Sequence, residues 1–256
     1  MDIIYNKIHD LSHYNPLVQT VIFTLSNSST FVKNPLYSYL YSKQMKMLME
    51  RHENIPLKVI IENTNACNSD CTFCVHSKMS RKKGFMSFPL FKKIVDDCAN
   101  LEVKEVAIYR LGEPLLDPQF SKEIAYAKKA GIEIVSTNTN ASLLDEENAT
   151  KILDSGLDVI YVSLDATSKN IYEGIRRGLN YDVVERNIKR FIELRNARGQ
   201  KPRIILNFCV TQENRNQVKD FMRKWKSCVE QIWVSHIHDW SGRIEMKNRF
   251  FSIFSG

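Results

Sequence analysis

From about residue 57 onward, short β-branched runs alternate with longer stretches of helical period. The runs are Leu57–Glu62, Glu105–Arg110, Ile132–Thr137, Val159–Leu164, Arg203–Val210 and Gln231–Ser235. Each is almost continuously apolar, as expected of parallel strands covered on both faces. Between them, apolar positions recur every three or four residues, which predicts helices over Phe88–Cys98, Pro118–Lys129, Glu146–Asp154, Asp182–Arg198 and Asn214–Ser227. Ser87, Asp117 and Asp145 stand where N-caps belong, and Gly131, Gly156 and Gly199 stand where helices stop. This alternation predicts βα units and a parallel sheet. Six strands with five crossovers fit either an open doubly wound sheet or part of a β/α barrel, and periodicity does not choose between them.

The first 55 residues stand outside this rhythm. Within them, residues 36–52 (Leu36, Tyr39, Leu40, Lys43, Met47) predict an amphipathic helix. The chain therefore divides into an N-terminal appendage over 1–55, a core over 56–240 and a tail over 241–256. The tail carries Phe250–Phe251–Ser252–Ile253–Phe254, an aromatic cluster with little polar cover. It is expected to rest on the core near the sixth strand, or to meet a further domain that this chain lacks.

Composition narrows the classes. With 43% hydrophobic and 25% charged residues among 256, the chain is neither a disordered polymer, nor a collagen-like fibre, nor a disulfide-dense mini-protein. The net charge of +7 is spread out, with Lys78, Arg81, Lys82 and Lys83 the densest patch. That patch is either a solvated loop or a contact for an anionic ligand or partner. Nothing in it demands nucleic acid. No run approaches the roughly 20 apolar residues of a membrane span, and the N-terminus lacks a secretory signal. A cytoplasmic, reducing location is the expectation, so the six cysteines are read as free, catalytic or metal-bound rather than paired.

Three of those cysteines fall within one loop, Cys67–Asn68–Ser69–Asp70–Cys71–Thr72–Phe73–Cys74, directly after the first strand. A disulfide would leave one thiol over. A structural zinc site wants four ligands, and His76 could be the fourth. An iron–sulfur cube held by three cysteines instead keeps one iron open to a ligand. Cys98, Cys209 and Cys228 are isolated and read as small buried hydrophobes.

The Cys-x3-Cys-x2-Cys spacing, with Phe73 before the last cysteine and Asn68 after the first, resembles the cluster loop of the radical S-adenosylmethionine (radical SAM) enzymes. The resemblance spans about residues 57–240 and is closest to members that usually carry a C-terminal auxiliary-cluster extension, absent here. It implies an α/β fold, a partial (β/α)6 TIM-like barrel. It also implies a [4Fe–4S] cluster on Cys67, Cys71 and Cys74, with S-adenosylmethionine on its open iron. After the second strand, Leu111–Gly112–Glu113–Pro114 is similar to the family's Gly-Gly-Glu segment, with Leu111 in place of the first glycine. Gly112 would permit close backbone approach to a ligand, and Glu113 would hold the methionyl ammonium. Ser136–Thr137–Asn138–Thr139–Asn140 resembles the family's Thr-Asn-Gly, giving Asn138 as a cofactor contact. Ser163 resembles the serine near the ribose and carboxylate, and Arg176 the arginine that pairs with that carboxylate. His236, His238 and Trp240, after the sixth strand, are candidate substrate-pocket residues.

The function implied is reductive cleavage of S-adenosylmethionine and hydrogen abstraction from a peptide, protein or sugar-like substrate. The partners implied are that substrate and a one-electron donor such as a flavodoxin or ferredoxin. Two alternatives stand beside it: a non-catalytic zinc-binding or scaffold protein, and an RNA-modifying radical SAM enzyme.

Overall fold

The computed structural model describes residues 55–199 and 201–237. The helix expected over 36–52, the tail over 241–256, His238 and Trp240 lie outside the described residues, as does all but the last residue of the 1–55 appendage. The described elements are, in chain order, β1 (Lys58–Ile61), β2 (Asp70–Cys71), α1 (Phe88–Asn100), β3 (Glu105–Ile108), α2 (Phe120–Lys129), β4 (Ile134–Thr139), α3 (Glu146–Asp154), β5 (Val159–Ser163), α4 (Lys169–Ile175), β6 (Arg176–Arg177), α5 (Tyr181–Asn196), β7 (Arg203–Val210), α6 (Val218–Trp225) and β8 (Gln231–His236). No described helix is long and apolar enough to cross a membrane.

Six strands form one parallel sheet in the order β1-β3-β4-β5-β7-β8. That order never reverses along the chain. A doubly wound sheet must reverse at a switch point, so the winding is that of a barrel wall. Among the described residues β8 does not pair back to β1, and the wall stays open. Phe91 and Val95 of α1, Ile124 of α2, Val184 and Phe191 of α5, and Phe221 and Trp225 of α6 are all buried with the strand residues Val106, Ile108, Ile160, Leu206 and Phe208. The Phe208 and Phe221 rings meet edge-on at 4.8 Å and fasten α6 to β7.

Three differences from the periodicity have local causes. The third main strand runs over Ile134–Thr139, two residues later than expected, because the Ile132 N–H donates to the Ala127 carbonyl and stays with the α2 terminus. That shift puts Asn138 and Thr139 on the strand rather than after it. Helix α2 opens at Phe120, because Asp117 Oδ1 accepts from the Gln119 N–H in a turn that precedes the helix. The short α4 has no counterpart in the periodic reading, and it delivers the chain to β6.

Candidate functional site

Parallel βα folds gather their sites beyond the strand C-terminal ends, and there the cysteine loop lies. It is held open by pairing. Strand β2 runs antiparallel to β6, with Asp70 opposite Arg177 and Cys71 opposite Arg176. The Thr72 N–H donates to the Ile175 carbonyl at 2.9 Å, and the Ser69 hydroxyl lies 3.0 Å from the Cys71 sulfur. Gly178 permits the close crossing: its φ is +86°, and a Cβ there would sit 3.2 Å from the Asn68 carbonyl oxygen. All three loop cysteines are half-buried free thiols. A cavity of about 270 Å³ lies on Cys71 and Cys74, lined also by Asp70, Thr72, Ser77, Lys78 and Arg177.

Left alone, the loop cysteines are held as neutral thiols, and only as thiolates would they call for a cation. Burial pushes the Cys67 thiol up to about 11, with the charges of Glu113, Cys71 and Cys74 adding to it, and burial likewise raises Cys74. A coordinating metal reverses that balance by binding the thiolate. His76 is buried and its Nε2 lies 2.9 Å from the Asn65 carbonyl oxygen, so it is engaged away from the cysteines. Among the described residues, no three His, Cys, Asp or Glu side chains converge on one ion. Three cysteines with no fourth ligand beside them among the described residues do not make the closed four-ligand set of a structural zinc, and their number suits a cube that keeps one iron open.

The Gly-Glu segment is bolted to the foot of this loop. The Glu113 N–H donates to the Ala66 carbonyl at 2.8 Å. A Cβ on Gly112 would lie 2.2 Å from the Thr64 carbonyl oxygen and 2.7 Å from that of Ala66. The close approach that demands this glycine is therefore to the protein's own backbone. Glu113 is buried, and its carboxylate accepts from the Thr139 hydroxyl (2.6 Å) and from the N–H groups of Asn140 (2.7 Å) and Leu115 (3.2 Å). Burial is the strongest influence on it and pushes its pKa up against those hydrogen bonds. Asn140 also donates to Asn68 Oδ1 at 2.9 Å, tying the β4 end to the cysteine loop.

Asn138 and Ser163 meet directly, the serine hydroxyl donating to Asn138 Oδ1 at 3.1 Å. Arg176 is buried, and its Nε donates to Asp165 Oδ2 at 2.5 Å in an ion pair. Its Nη1 lies 3.7 Å from the Cys71 sulfur, and its guanidinium stands 5.5 Å over the Phe73 ring. Burial opposes the guanidinium charge, but the Asp165 and Cys71 charges outweigh it and raise the Arg176 pKa. The loop cysteines, Gly112, Glu113, Asn138, Ser163 and Arg176 thus form one connected neighbourhood.

His236 does not join them. On β5, Tyr161 shares the face of Ser163 by the two-residue period, and its ring meets Trp233 of β8 at 5.4 Å. His236 is three positions beyond Trp233 and so falls on the other face, paired with Val210. Alternation along β8 selects Trp233 and Ser235 for the Ser163 face. The sequence carried this parity and the strand's start, but the contact with Tyr161 was needed to say which of the two faces turns toward Ser163. Asp165 also escaped assignment, although it stands two residues after Ser163, because its partner Arg176 arrives only through α4.

Comparison with known proteins matches residues 61–224, well over half of the chain, to the model of the radical SAM superfamily. A tungsten-containing aldehyde ferredoxin oxidoreductase cofactor-modifying protein of Pyrococcus furiosus is 30% identical over 64% of this chain and 46% of its own length. A probable GTP 3′,8-cyclase of Methanococcus maripaludis is 33% identical over 66% of this chain and 56% of its own. The chain thus spans about half the length of the curated relatives it matches. Among solved structures, Streptococcus suis SuiB bound to its precursor peptide SuiA matches 85% of this chain, and 48% of SuiB, with a TM-score of 0.66 at 16% identity. That likeness shows the fold, a partial barrel.

Proposed function

This chain belongs to the radical SAM superfamily, which uses a [4Fe–4S] cluster and S-adenosylmethionine, and we propose that it is an enzyme of that chemistry with the cluster on Cys67, Cys71 and Cys74. The observation that carries the reading is the β2–β6 ladder, which sets the middle cysteine against the buried Arg176–Asp165 pair. When bound, the group supplies one-electron reductive cleavage of S-adenosylmethionine to the 5′-deoxyadenosyl radical, which takes a hydrogen atom from substrate.

The chain's own residues orient and shield. The buried Glu113 carboxylate, fixed by Thr139, Asn140 and Leu115, receives the methionyl ammonium, and that positive charge offsets the burial that raises its pKa. The Arg176 guanidinium is anchored through Nε to Asp165. One of its remaining N–H groups faces Cys71, and the others would serve the methionyl carboxylate. Asn138 and Ser163, already joined to each other, would hold the ribose and carboxylate side. Gly112 acts through backbone packing, by letting the Glu113 segment sit against Thr64 and Ala66.

The substrate we propose is a peptide, protein or sugar-like molecule, and the electron comes from a flavodoxin or ferredoxin. The SuiB likeness supports a peptide through the fold alone. The relatives' names also include a nucleotide cyclase, so Tyr161 and Trp233, on the Ser163 face, are the first residues at which substrate choice should be sought.

Anaerobic reconstitution tests the reading. Four irons with acid-labile sulfide should bind per chain, and reduction with S-adenosylmethionine should release 5′-deoxyadenosine. Alanine at Cys67, Cys71 or Cys74 should each abolish the visible absorption of the cluster, and alanine at Cys209 should not. One zinc per chain without sulfide would overturn it.

A further inference from the structure

Behind the joint between the cysteine loop and the Gly-Glu segment lies a second group of polar side chains, which the proposed chemistry does not use. Asn63 and Glu123 are fully buried and Asp117 is 3% exposed. One half of each group is satisfied or braced. Asn63 Nδ2 donates to Glu123 Oε2 at 3.1 Å, and Asp117 Oδ1 accepts from the Gln119 N–H at 2.8 Å. The other half is not. Asn63 Oδ1, Asp117 Oδ2 and Glu123 Oε1 are each buried without a hydrogen-bond partner.

All three orphan atoms are oxygens that can only accept when the carboxyls are ionised. Buried oxygens left in this state are costly, and each calls for an explanation. Asp117 stands close enough that its charge is the largest influence on Glu123 after burial, and no cationic side chain figures among the influences on either carboxyl. The electropositive N-terminus of α2 lies between them, but it supplies at most about half a charge. A single water donates two hydrogen bonds to three acceptors and brings no charge. A proton on one carboxyl turns that oxygen into a donor to a second, which settles two of the three oxygens but leaves the third without a partner and one negative charge in place. A cation can satisfy all three and neutralise the carboxylates as well.

We propose that Asn63, Asp117 and Glu123 form a binding site for a hard, oxygen-seeking cation, with Mg²⁺ and Ca²⁺ the members whose charge equals that of the two carboxylates. The ligand chemistry is that of oxygen-only sites: two carboxylates and an amide carbonyl, completed by water or backbone oxygens. The site is independent of the iron–sulfur reading. Its place gives it a purpose, because Asn63 leads from β1 to Cys67 while Asp117 and Glu123 lead from Glu113 into α2. A cation there clamps the two segments that carry the loop cysteine and the buried glutamate.

The test is thermal unfolding and equilibrium dialysis of the full chain, with and without reconstituted cluster, against MgCl2, CaCl2, NaCl and KCl, each compared with choline chloride at equal ionic strength. Thiolates discriminate against Mg²⁺ and Ca²⁺, so the cysteine loop does not confuse the readout. Saturable binding of one ion per chain is expected, with the midpoint rising by roughly 5–10 °C at a hundred times the dissociation constant. Glu123→Gln and Asp117→Asn should each lose most of that rise. Should one variant fail to fold, the other and the dialysis of the unaltered chain still decide. A chain whose melting is indifferent to all four cations overturns the proposal in favour of a shared proton or water. A response that survives in both variants overturns it by placing the ion elsewhere.

Discussion

Gly112 shows how a single missing methyl group can set the geometry of a site. Its Cβ would stand 2.2 Å from one carbonyl oxygen and 2.7 Å from another, both in backbone that cannot swing aside. Gly112→Ala should therefore destabilise the fold by at least the ~1–3 kcal/mol of ordinary overpacking, and it should loosen cluster retention, as read by urea denaturation and iron content. The sequence marked this glycine as important, but it could not say that the neighbour requiring it is Thr64 rather than a ligand. Asp165 makes the complementary case. Replacing it with alanine leaves the buried Arg176 charge without its partner, a loss of about 3–5 kcal/mol that equilibrium unfolding would measure. A drop below about 1 kcal/mol would mean that Arg176 finds another anion. No pattern in the chain announces this pair, because its members stand eleven positions apart with a whole short helix between them.

At the level of elements, the longer helices and the strands were legible because their periods are regular over many residues. Helix α4 was not, since seven residues give a period too few repeats to show. The two-residue strands β2 and β6 were invisible for the same reason, and they are the ones that frame the cysteine loop. Thr72→Pro removes the N–H that donates to Ile175 and should unfasten the loop without melting the sheet. The expected result is unchanged far-ultraviolet circular dichroism with a large loss of bound iron. Between α5 and α6, Glu185 accepts from Lys224 at 2.5 Å and from Lys189 at 3.1 Å. Burial raises its pKa, but the two lysines outweigh burial and the net shift is downward. A depressed carboxylate contributes stability above its unfolded pKa, and that contribution is lost as pH falls through the folded one. Glu185→Gln should accordingly flatten the decline of stability below about pH 4.5, with little change near neutrality beyond a constant offset.

For the sheet as a whole, the two readings left open by periodicity are separated by topology alone. Strand order without reversal needs long-range pairing, which no local pattern encodes, and only the assembled sheet displays it. Among the described residues its edges are β1 and β8, where Ile60, Trp233 and Val234 are exposed, whereas β4 and β5 are paired on both sides. Backbone amide exchange should follow that pattern, slowest in β4 and β5 and fastest in β1 and β8. Equal protection across all six strands would show that the edges are covered.

The ladder between β2 and β6 also sets a timetable. Cys71 and Arg176 are 105 positions apart, so the three cysteines leave the ribosome long before the strand that frames them exists. Until Arg176 and Arg177 have been made, the loop has no partner to hold its thiols apart, and metal delivered then would meet an unshaped peptide. A cluster held as proposed would therefore have to be inserted late in the life of the chain. Oxidants or stray zinc would do most harm to the nascent chain, in the interval between translation of the first cysteine and arrival of the arginines.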